Sequence, residues 1–255
     1  MKYASLLALG ALAAAATAVA DASVVAPPPA TAAGFVGEAL EWSVHYGGIQ
    51  AGSAWARTSE NGDGSLRLEA GCRSAPWYER IYMIDDLVTS TWVPGAGSLR
   101  YETRFREGGF QQDQVMRLTG TAVEVWRRQL VDGAWRESTT PYTTSEGAED
   151  PVSAIYAMRL AAQDPTWTTP IFTGKTTSPL VVRRVGTEHL EDTPLGPVDV
   201  DVFDLRTSHK GEVEQKGGFR VYLSQDSRRV PLRVVVRTNV GPVRADLVNY
   251  QGPAA

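Results

Sequence analysis

The chain contains few of the residue types that signal a particular chemistry. Its 255 residues include one cysteine, Cys72, so no intramolecular disulfide can form. The three histidines, His45, His189 and His209, have no His or Cys partner within four residues, so a metal site would need ligands from distant strands. The net charge of −4 offers no basic excess for phosphate contacts, so we expect no nucleic-acid partner.

Catalytic sequence patterns are also missing. There is no Gly-x-Ser-x-Gly elbow, and no glycine-rich phosphate loop precedes a helix, which argues against hydrolase and nucleotide chemistry. Asp199 and Asp201 are spaced like a glycosidase pair, but Val198, Val200 and Val202 alternate with them, which favours the solvated face of a strand. We therefore predict no enzyme, no metal and no cofactor, with an uncharacterised envelope hydrolase as the alternative.

The only long apolar run lies at the amino terminus. Lys2 precedes an Ala/Leu/Gly run over 6–16, and Ala18-Val19-Ala20 fits a signal-peptidase site, so we predict a cleaved signal peptide over 1–20. A flexible Ala/Pro leader is predicted over 21–36, and a single β-rich domain over 37–251. These features predict export to the periplasm as a soluble protein, and release into the medium is the less favoured alternative. The alternative is an uncleaved membrane anchor.

Alternating hydrophobicity dominates the predicted domain. Leu40, Trp42, Val44 and Tyr46 share one face of a strand, and the same rule places Cys72 among buried apolar residues. Asn-Gly-Asp-Gly at 61–64 predicts a hairpin turn, and Leu99, Tyr101 and Phe105 are predicted to point inward on a later strand. The pattern predicts a mainly β fold: a single antiparallel barrel or strongly curved half-barrel sheet with one or two short helices packed in or across it.

One segment departs from the β pattern. Asp150 suits a helix N-cap and Pro151 the first helical position, followed by an apolar stripe, which predicts a helix over 151–162. The segment 76–85 is either a second short helix or an apolar loop. Six more strands are predicted after the helix, at 167–172, 180–190, 198–207, 218–224, 230–238 and 243–250.

Aromatic and apolar side chains are the best candidates for a binding site. Inward-facing aromatics can line a cavity for an acyl chain, although they can equally fill a core. The segment around Trp77 lacks strand alternation, which suits a lid or a docking surface. The candidate ligand-binding residues are Trp42, Trp55, Trp77, Tyr78, Tyr82, Met83, Ile155, Tyr156 and Met158.

Three ordered motifs resemble one family. Residues 37–52 resemble its opening GE-x-L-x-Y-x-V-x-Y followed by G-x-x-A-G, residues 150–159 its D-x-x-S-x-x-Y-x-x-R helix, and residues 222–231 its W-L-S-x-D-x-x-R-x-P hairpin. This is domain of unknown function 3108, found in Gram-negative envelopes. The resemblance implies structural roles for Asp150, Ser153, Tyr156, Arg159, Ser224, Asp226, Arg229 and Pro231. It also implies an outline similar to LolA and LolB, a half-barrel whose helices cover an apolar concavity.

Together these features predict a periplasmic, non-enzymatic binding or carrier protein that contributes to envelope maintenance. Its partner would be a lipid, a lipoprotein acyl chain or another apolar ligand. The alternative is an envelope interaction or scaffold protein with a solid core and an apolar docking surface around Trp77–Met83. In neither case is the cleaved protein expected to be integral to the membrane.

Overall fold

The computed structural model describes residues 34–209, 212–213, 218–238 and 241–253. The predicted signal peptide and residues 21–33 of the predicted leader lie outside these ranges, as does the side chain of His209. Phe35, which the prediction placed in the leader, is 5% exposed, and its ring packs edge-on against Tyr156 at 5.2 Å. The packed domain therefore includes the last residues of that predicted leader.

Strands make up most of the described chain, with two short helices. The helices are α1 (Pro76–Glu79) and α2 (Ser153–Ala161). The strands are β1 (Ala39–Tyr46), β2 (Ile49–Glu60), β3 (Leu66–Ser74), β4 (Asp85–Val93), β5 (Gly97–Glu107), β6 (Phe110–Thr119), β7 (Ala122–Val131), β8 (Ala134–Thr143), β9 (Thr166–Phe172), β10 (Thr177–Leu190), β11 (Val198–His209), β12 (Glu212–Val213), β13 (Phe219–Ser224), β14 (Pro231–Thr238) and β15 (Gly241–Gln251).

The strands form one continuous antiparallel sheet. Its order is β8-β7-β6-β5-β4-β3-β2-β1-β15-β14-β13-β11-β10-β9, with β12 added beside β11. Within the described ranges the edge strands β8 and β9 do not pair with each other, so the barrel is not closed by a strand ladder. The mainly β, barrel-like prediction is confirmed. Neither helix in the described part of the chain is long and apolar enough to cross a membrane.

Helix α2 lies inside the curved sheet and separates two cores. One core contains Trp92, Met116 and Phe172; Tyr156 and Ala157 of the helix, and Val152 just before it, also belong to this core. The other collects residues from β9 to β14 around Ala154, Met158 and Ala162 of the helical segment: Ile171, Leu180, Val182, Phe203, Leu205, Phe219, Val221, Leu223 and Val236. Because both sides pack, the helix is buried nearly all round.

The helix prediction was right about the Asp150 cap, but its predicted start at residue 151 is two residues too early. The Asp150 carboxylate accepts hydrogen bonds from the backbone N–H groups of Val152 at 2.7 Å and Ser153 at 3.0 Å, and its carbonyl accepts from Ala154. Those are the bonds of an N-cap, although the regular helix begins at Ser153. In the 76–85 segment only Pro76–Glu79 is helical, and Asp85 already belongs to β4.

Two strand predictions were wrong. Hydrophobic alternation predicts no strand at 134–143, yet β8 pairs with β7 along its whole length, because ladder hydrogen bonds do not require an apolar face. Leu99 does not point inward and is 43% exposed. A bulge pairs Arg100 with Thr91 and Ser98 with Trp92, so Leu99 has no opposite residue.

The prediction for Cys72 is confirmed. The thiol is buried and free, and burial together with the nearby charges of Asp86 and Glu107 raises its pKa well above the ordinary value. A thiol in that setting is inert at neutral pH.

Candidate functional site

A concavity with an almost wholly apolar wall lies between helix α2 and the inner face of the sheet. Its volume is about 110 Å³, and it is partly open. Strands β1 to β3 contribute Leu40, Trp42, Val44, Ala54, Trp55, Ala56, Ala70 and Cys72 to its wall. The helical segment and the strands beyond it contribute Val152, Ile155, Tyr156, Arg159, Phe219, Val221, Pro231, Val234 and Ala245.

Small side chains account for the space. Ala54 and Ala56 on β2 and Ala70 and Cys72 on β3 lie on the inner face, where larger residues would fill the volume under the helix. Ile155 is the one residue of α2 before Leu160 that is only half-buried, and it borders the concavity. The sheet therefore approaches the helix closely without filling the gap, a geometry suited to a small apolar group.

Arg159 is the charged residue of the wall, and its charge is balanced within the protein. Its guanidinium donates to both carboxylate oxygens of Glu38, at 2.6 and 2.7 Å, and the two side chains are each 1% exposed. It also donates to the backbone carbonyls of Arg228 and Arg229, both at 3.0 Å. Burial acts against its charge, but the hydrogen bonds and negative charge of Glu38 outweigh it, so the pKa of Arg159 is raised. Little free charge is left for a ligand.

Aromatic rings complete the surroundings of this ion pair. The guanidinium of Arg159 lies 4.6 Å from the ring centre of Phe35 and 5.1 Å from that of Tyr156. The Tyr156 hydroxyl accepts a hydrogen bond from the hydroxyl of Thr58 at 3.0 Å. Burial, with the nearby charge of Glu38, raises the pKa of Tyr156 to about 12, so the phenol stays neutral.

The three sequence motifs meet at this point. The first supplies Glu38 and the second Arg159, 121 residues apart. In the third, Ser224 donates to Asp226 at 2.9 Å and accepts from the backbone of Val230 at 2.8 Å, which closes the turn. Arg229, at a φ of 47°, donates to the carbonyl of Ala162 at 3.1 Å, just after the helix. The structure thus gives these motif residues mutual contacts that hold α2 to the sheet.

Asp150 anchors the other end of the helix. Besides the two backbone groups, the hydroxyls of Ser90 and Ser98 donate to its carboxylate, the second at 2.7 Å. Ser153 returns a bond by accepting from the Asp150 N–H at 2.9 Å. Burial raises the pKa of Asp150, while these hydrogen bonds act in the opposite direction. Helix α2 is therefore tied at both ends by buried polar groups.

Two other buried carboxyl groups do not line the concavity. Burial raises the pKa of Glu149 to about 8; one of its oxygens accepts from the Trp92 indole at 3.3 Å. Burial and the neighbouring Glu107 carboxyl raise the pKa of Asp86 to about 8 as well. Its carboxylate accepts from the backbone N–H of Arg106 at 2.8 Å. Burial therefore favours the protonated form of both carboxyls.

The structure brings together some of the predicted ligand-binding residues and separates others. Trp42, Ile155 and Tyr156 border the concavity, and the Trp42 indole donates to the carbonyl of Pro231 at 2.9 Å. Trp55 also borders it, but its indole lies over Gly71, with Arg57 5.4 Å above the ring. Met158 packs into the other core instead.

The segment from Trp77 to Met83 lies away from this concavity. Tyr78 is buried against a separate small cleft, and Trp77, Ile81 and Met83 are exposed. The Trp77 indole donates to the carbonyl of Gln50 at 3.0 Å, which places it beside the β1–β2 hairpin, where Ile49 is also exposed. These four residues, Ile49, Trp77, Ile81 and Met83, are called the hairpin-end patch below.

The acidic pair that sequence reasoning raised does not lie on one solvated face. Asp201 is buried; it accepts from the Gln225 side chain at 3.1 Å and lies 3.6 Å from Arg184. Asp199 is exposed and pairs with His189 at 2.6 Å. The solvated-face interpretation is wrong for Asp201, because this part of β11 is covered on both faces. In the described ranges no three His, Cys, Asp or Glu residues are grouped to hold a metal ion.

Sequence reasoning missed most of the wall. The small residues of β2 and β3 and the far strands, Phe219, Val221, Val234 and Ala245, were not among the candidates. Alternation could have placed Ala54 and Ala56 on an inner face, since every second residue of β2 points to the same face and Thr58 belongs to that set. It carries no information on which strands stand opposite one another across a barrel.

The fold and the concavity define the class of protein: a barrel-like antiparallel sheet that encloses a helix and an apolar space beside it. A family model for proteins of unknown function, DUF3108, matches residues 41–248, so the chain belongs to that family. The resemblance that the three motifs carried is thereby confirmed.

The structure is also similar to a solved structure. That structure is described as a beta-barrel-like protein of domain of unknown function DUF1849 from Brucella abortus, with a TM-score of 0.59, 10% identity, and coverage of 87% of this chain and 99% of that chain. At this identity the likeness shows the fold alone, and it agrees in outline with a LolA-like barrel. A comparison with curated proteins gives no match.

Proposed function

We propose that the protein is an exported, periplasmic, non-enzymatic binding protein that holds an apolar ligand in the concavity under helix α2. A lipid, a lipoprotein acyl chain or a similar hydrocarbon group fits this wall. The observation that carries the proposal is the wall itself: seventeen residues from seven elements enclose an apolar space, and the only charge among them is paired with Glu38. A polar headgroup buried there would lose its hydration without gaining a hydrogen-bonding or charged partner from the wall.

The size of the concavity narrows the ligand. A volume of about 110 Å³ is close to engineered cavities of about 150 Å³ that hold benzene. It is below the roughly 300 Å³ at which drug-sized pockets begin. We therefore propose that the narrow end of an acyl chain enters, and that the polar end remains outside. A longer insertion requires α2 or Ile155 to move.

Assignment as a binding protein rather than an enzyme is supported by the environment of the polar groups. Asp150 and Ser153 bond to each other at the start of the helix, and Arg159 bonds to Glu38 near its end, so all three side chains serve to anchor the helix. His189 and Asp199 form an exposed pair on the sheet surface, away from any residue of the concavity wall. Of these groups only Arg159 lines the apolar space, and its guanidinium is already bonded to Glu38 and to two backbone carbonyls, so it is not free to act as a reacting group.

Ligand capture is tested on protein purified from its own envelope. Native mass spectrometry and lipid extraction should reveal a co-purifying acyl compound, and a fluorescent fatty acid should bind. Ala54→Leu places three extra carbons in the concavity and should weaken this binding at least ten-fold. Ala122→Leu makes the same change at an exposed strand position and should leave it unchanged. Nothing extractable and no fatty-acid uptake by the unmodified protein would contradict the proposal.

Export is tested separately. The sequence pattern at residues 1–20 supports cleavage after Ala20. Osmotic-shock release followed by amino-terminal sequencing should give a periplasmic protein that starts at Asp21. An intact amino terminus in the cytoplasmic fraction would contradict export without bearing on ligand binding.

A second candidate function is that of an envelope interaction protein. The hairpin-end patch favours it, because Ile49 is 61% and Ile81 69% exposed next to Trp77. Trp77→Ala combined with Ile81→Ser should then remove a protein partner from an envelope pull-down without affecting fatty-acid binding. Ala54→Leu should do the reverse if the concavity is the functional site.

A further inference from the structure

Strand β8 presents a long free edge. It runs for ten residues, Ala134–Thr143, and every residue except Tyr142 is exposed. It pairs with β7 residue by residue, without a bulge to bend the strand away. Within the described ranges no other strand pairs with its outer side. Unpaired backbone donors and acceptors on a strand of this length form a template for another strand.

The other edge of the sheet is covered over the last three residues of β9, 170–172. Glu149 bridges to β9, where its N–H donates to the carbonyl of Pro170 at 2.9 Å and its carbonyl accepts from Phe172 at 2.8 Å. Pro170 itself has no N–H to offer a further strand, and Pro141 near the end of β8 lacks one as well, which leaves β8 uninterrupted over 134–140. Of the two edges, β8 alone offers a continuous run of strand for pairing.

We propose that β8 pairs antiparallel with β8 of a second copy of this chain, around Ser138 and Thr139, to form a closed two-fold dimer. A sheet with two free edges would continue adding copies and form a fibre. A sheet with one free edge and one covered edge stops at two copies, because a two-fold contact uses the same edge on both partners. This inference is independent of the proposed ligand-binding function.

The charges on β8 select the centre of the pairing. A two-fold axis at Arg136 or Glu137 would place that residue opposite its own copy, which is unfavourable. An axis at Ser138 places Arg136 opposite Thr140 and Glu137 opposite Thr139 of the second copy. An axis at Thr139 places Arg136 opposite Tyr142 and Glu137 opposite Pro141. Both central registers leave only neutral residues opposite the charges, with Ser and Thr at the axis.

The association is tested by measuring mass against concentration. Analytical ultracentrifugation of the purified protein should show a reversible monomer–dimer equilibrium with no larger species. The double variant Ser138→Glu/Thr139→Glu places like charges opposite each other in both registers and should weaken the dimer at least ten-fold. The double variant Ser53→Glu/Ser59→Glu adds the same charge at exposed positions of β2, far from β8 in the sheet, and should leave the dimer unchanged.

Cross-linking then locates the contact. Cys72 is buried, so a new cysteine on β8 is the reactive one. Under mild oxidation, Ser138→Cys or Thr139→Cys should give a covalent dimer, whereas Ser59→Cys should not. A protein that stays monomeric at its highest soluble concentration overturns the proposal. A dimer insensitive to both glutamates, or a monomer that binds an extended peptide along this edge, overturns it as well.

Discussion

The two sides of helix α2 differ in how they are packed. On one side, Ala154 and Met158 fit against strands β9 to β14 in a closed core where the large side chains are almost fully buried. On the side toward the concavity, Ile155 is only half-buried: it packs at the margin of this core and borders the apolar space, whose wall also includes small residues of β2 and β3. The closed side holds the helix in the barrel, which allows the other side to keep space without loss of the fold. Four predictions test this contrast.

The largest loss of stability is expected at the ion pair of Arg159 and Glu38, which holds helix α2 to the sheet. Arg159→Met leaves the Glu38 carboxylate buried without its partner, so we expect the free energy of unfolding to fall by about 3–5 kcal/mol in urea titrations. The control is Arg100→Met, at an ion pair whose side chains are 37% and 41% exposed, with an expected loss below about 1 kcal/mol. Equal losses in the two variants would show that the buried pair is no anchor.

Truncation on the closed side should be next in size. Met158 is 1% exposed within the second core, so Met158→Ala opens a cavity there and should cost about 2–5 kcal/mol in the same titration. Fatty-acid binding should be retained, since Met158 does not border the concavity. A loss of binding in a variant that remains folded would mean that the two sides are coupled.

The pH dependence of stability should reflect Glu149, which precedes the helix. Its folded pKa of about 8 exceeds the ordinary 4.5, so the folded state binds more protons than the unfolded state between those values. The free energy of unfolding should therefore fall as pH rises from about 4.5 to about 8, and Asp86 adds to the same trend. Glu149→Gln should flatten this slope in urea titrations at pH 5 and pH 8, whereas Glu124→Gln, an exposed control, should not.

The smallest stability change is expected on the open side. Ile155→Ala removes carbons that already border empty space, so it should cost about 1 kcal/mol, less than Met158→Ala. The enlarged concavity should bind a fluorescent fatty acid more tightly. A loss as large as that of Met158→Ala, with no gain in binding, would show that the two sides are equally packed.

Much of the fold follows from local sequence. Alternation on β1 and β3 and the Asn-Gly-Asp-Gly turn predict strands and hairpins because side-chain direction repeats every two residues. Asp150 marks the helix start because a carboxylate there satisfies free N–H groups. Strand β8 could not be found in this way, since a hairpin edge with both faces in solvent has no hydrophobic pattern.

The candidate site is harder to predict from local sequence than the fold is. Trp42, Ile155 and Tyr156 were predicted to line a site and do border the concavity, whereas Met158 is buried within the second core and does not border it. On a helix, positions 155 and 158 share a broad apolar stripe, and only the surrounding strands decide which part of that stripe is filled. The empty space itself arises from alanines whose small size has no pattern of its own.

The sequence by itself determined that this is a β-rich chain with one capped internal helix, because those features depend on neighbours along the chain. The tertiary structure alone decided that Glu38 meets Arg159, that an apolar space remains beside Ile155, and that β8 is left with a free edge. Each of these depends on residues far apart in the chain coming together, 121 positions apart for the ion pair. Packing and strand order set such distances, and local preferences do not encode them.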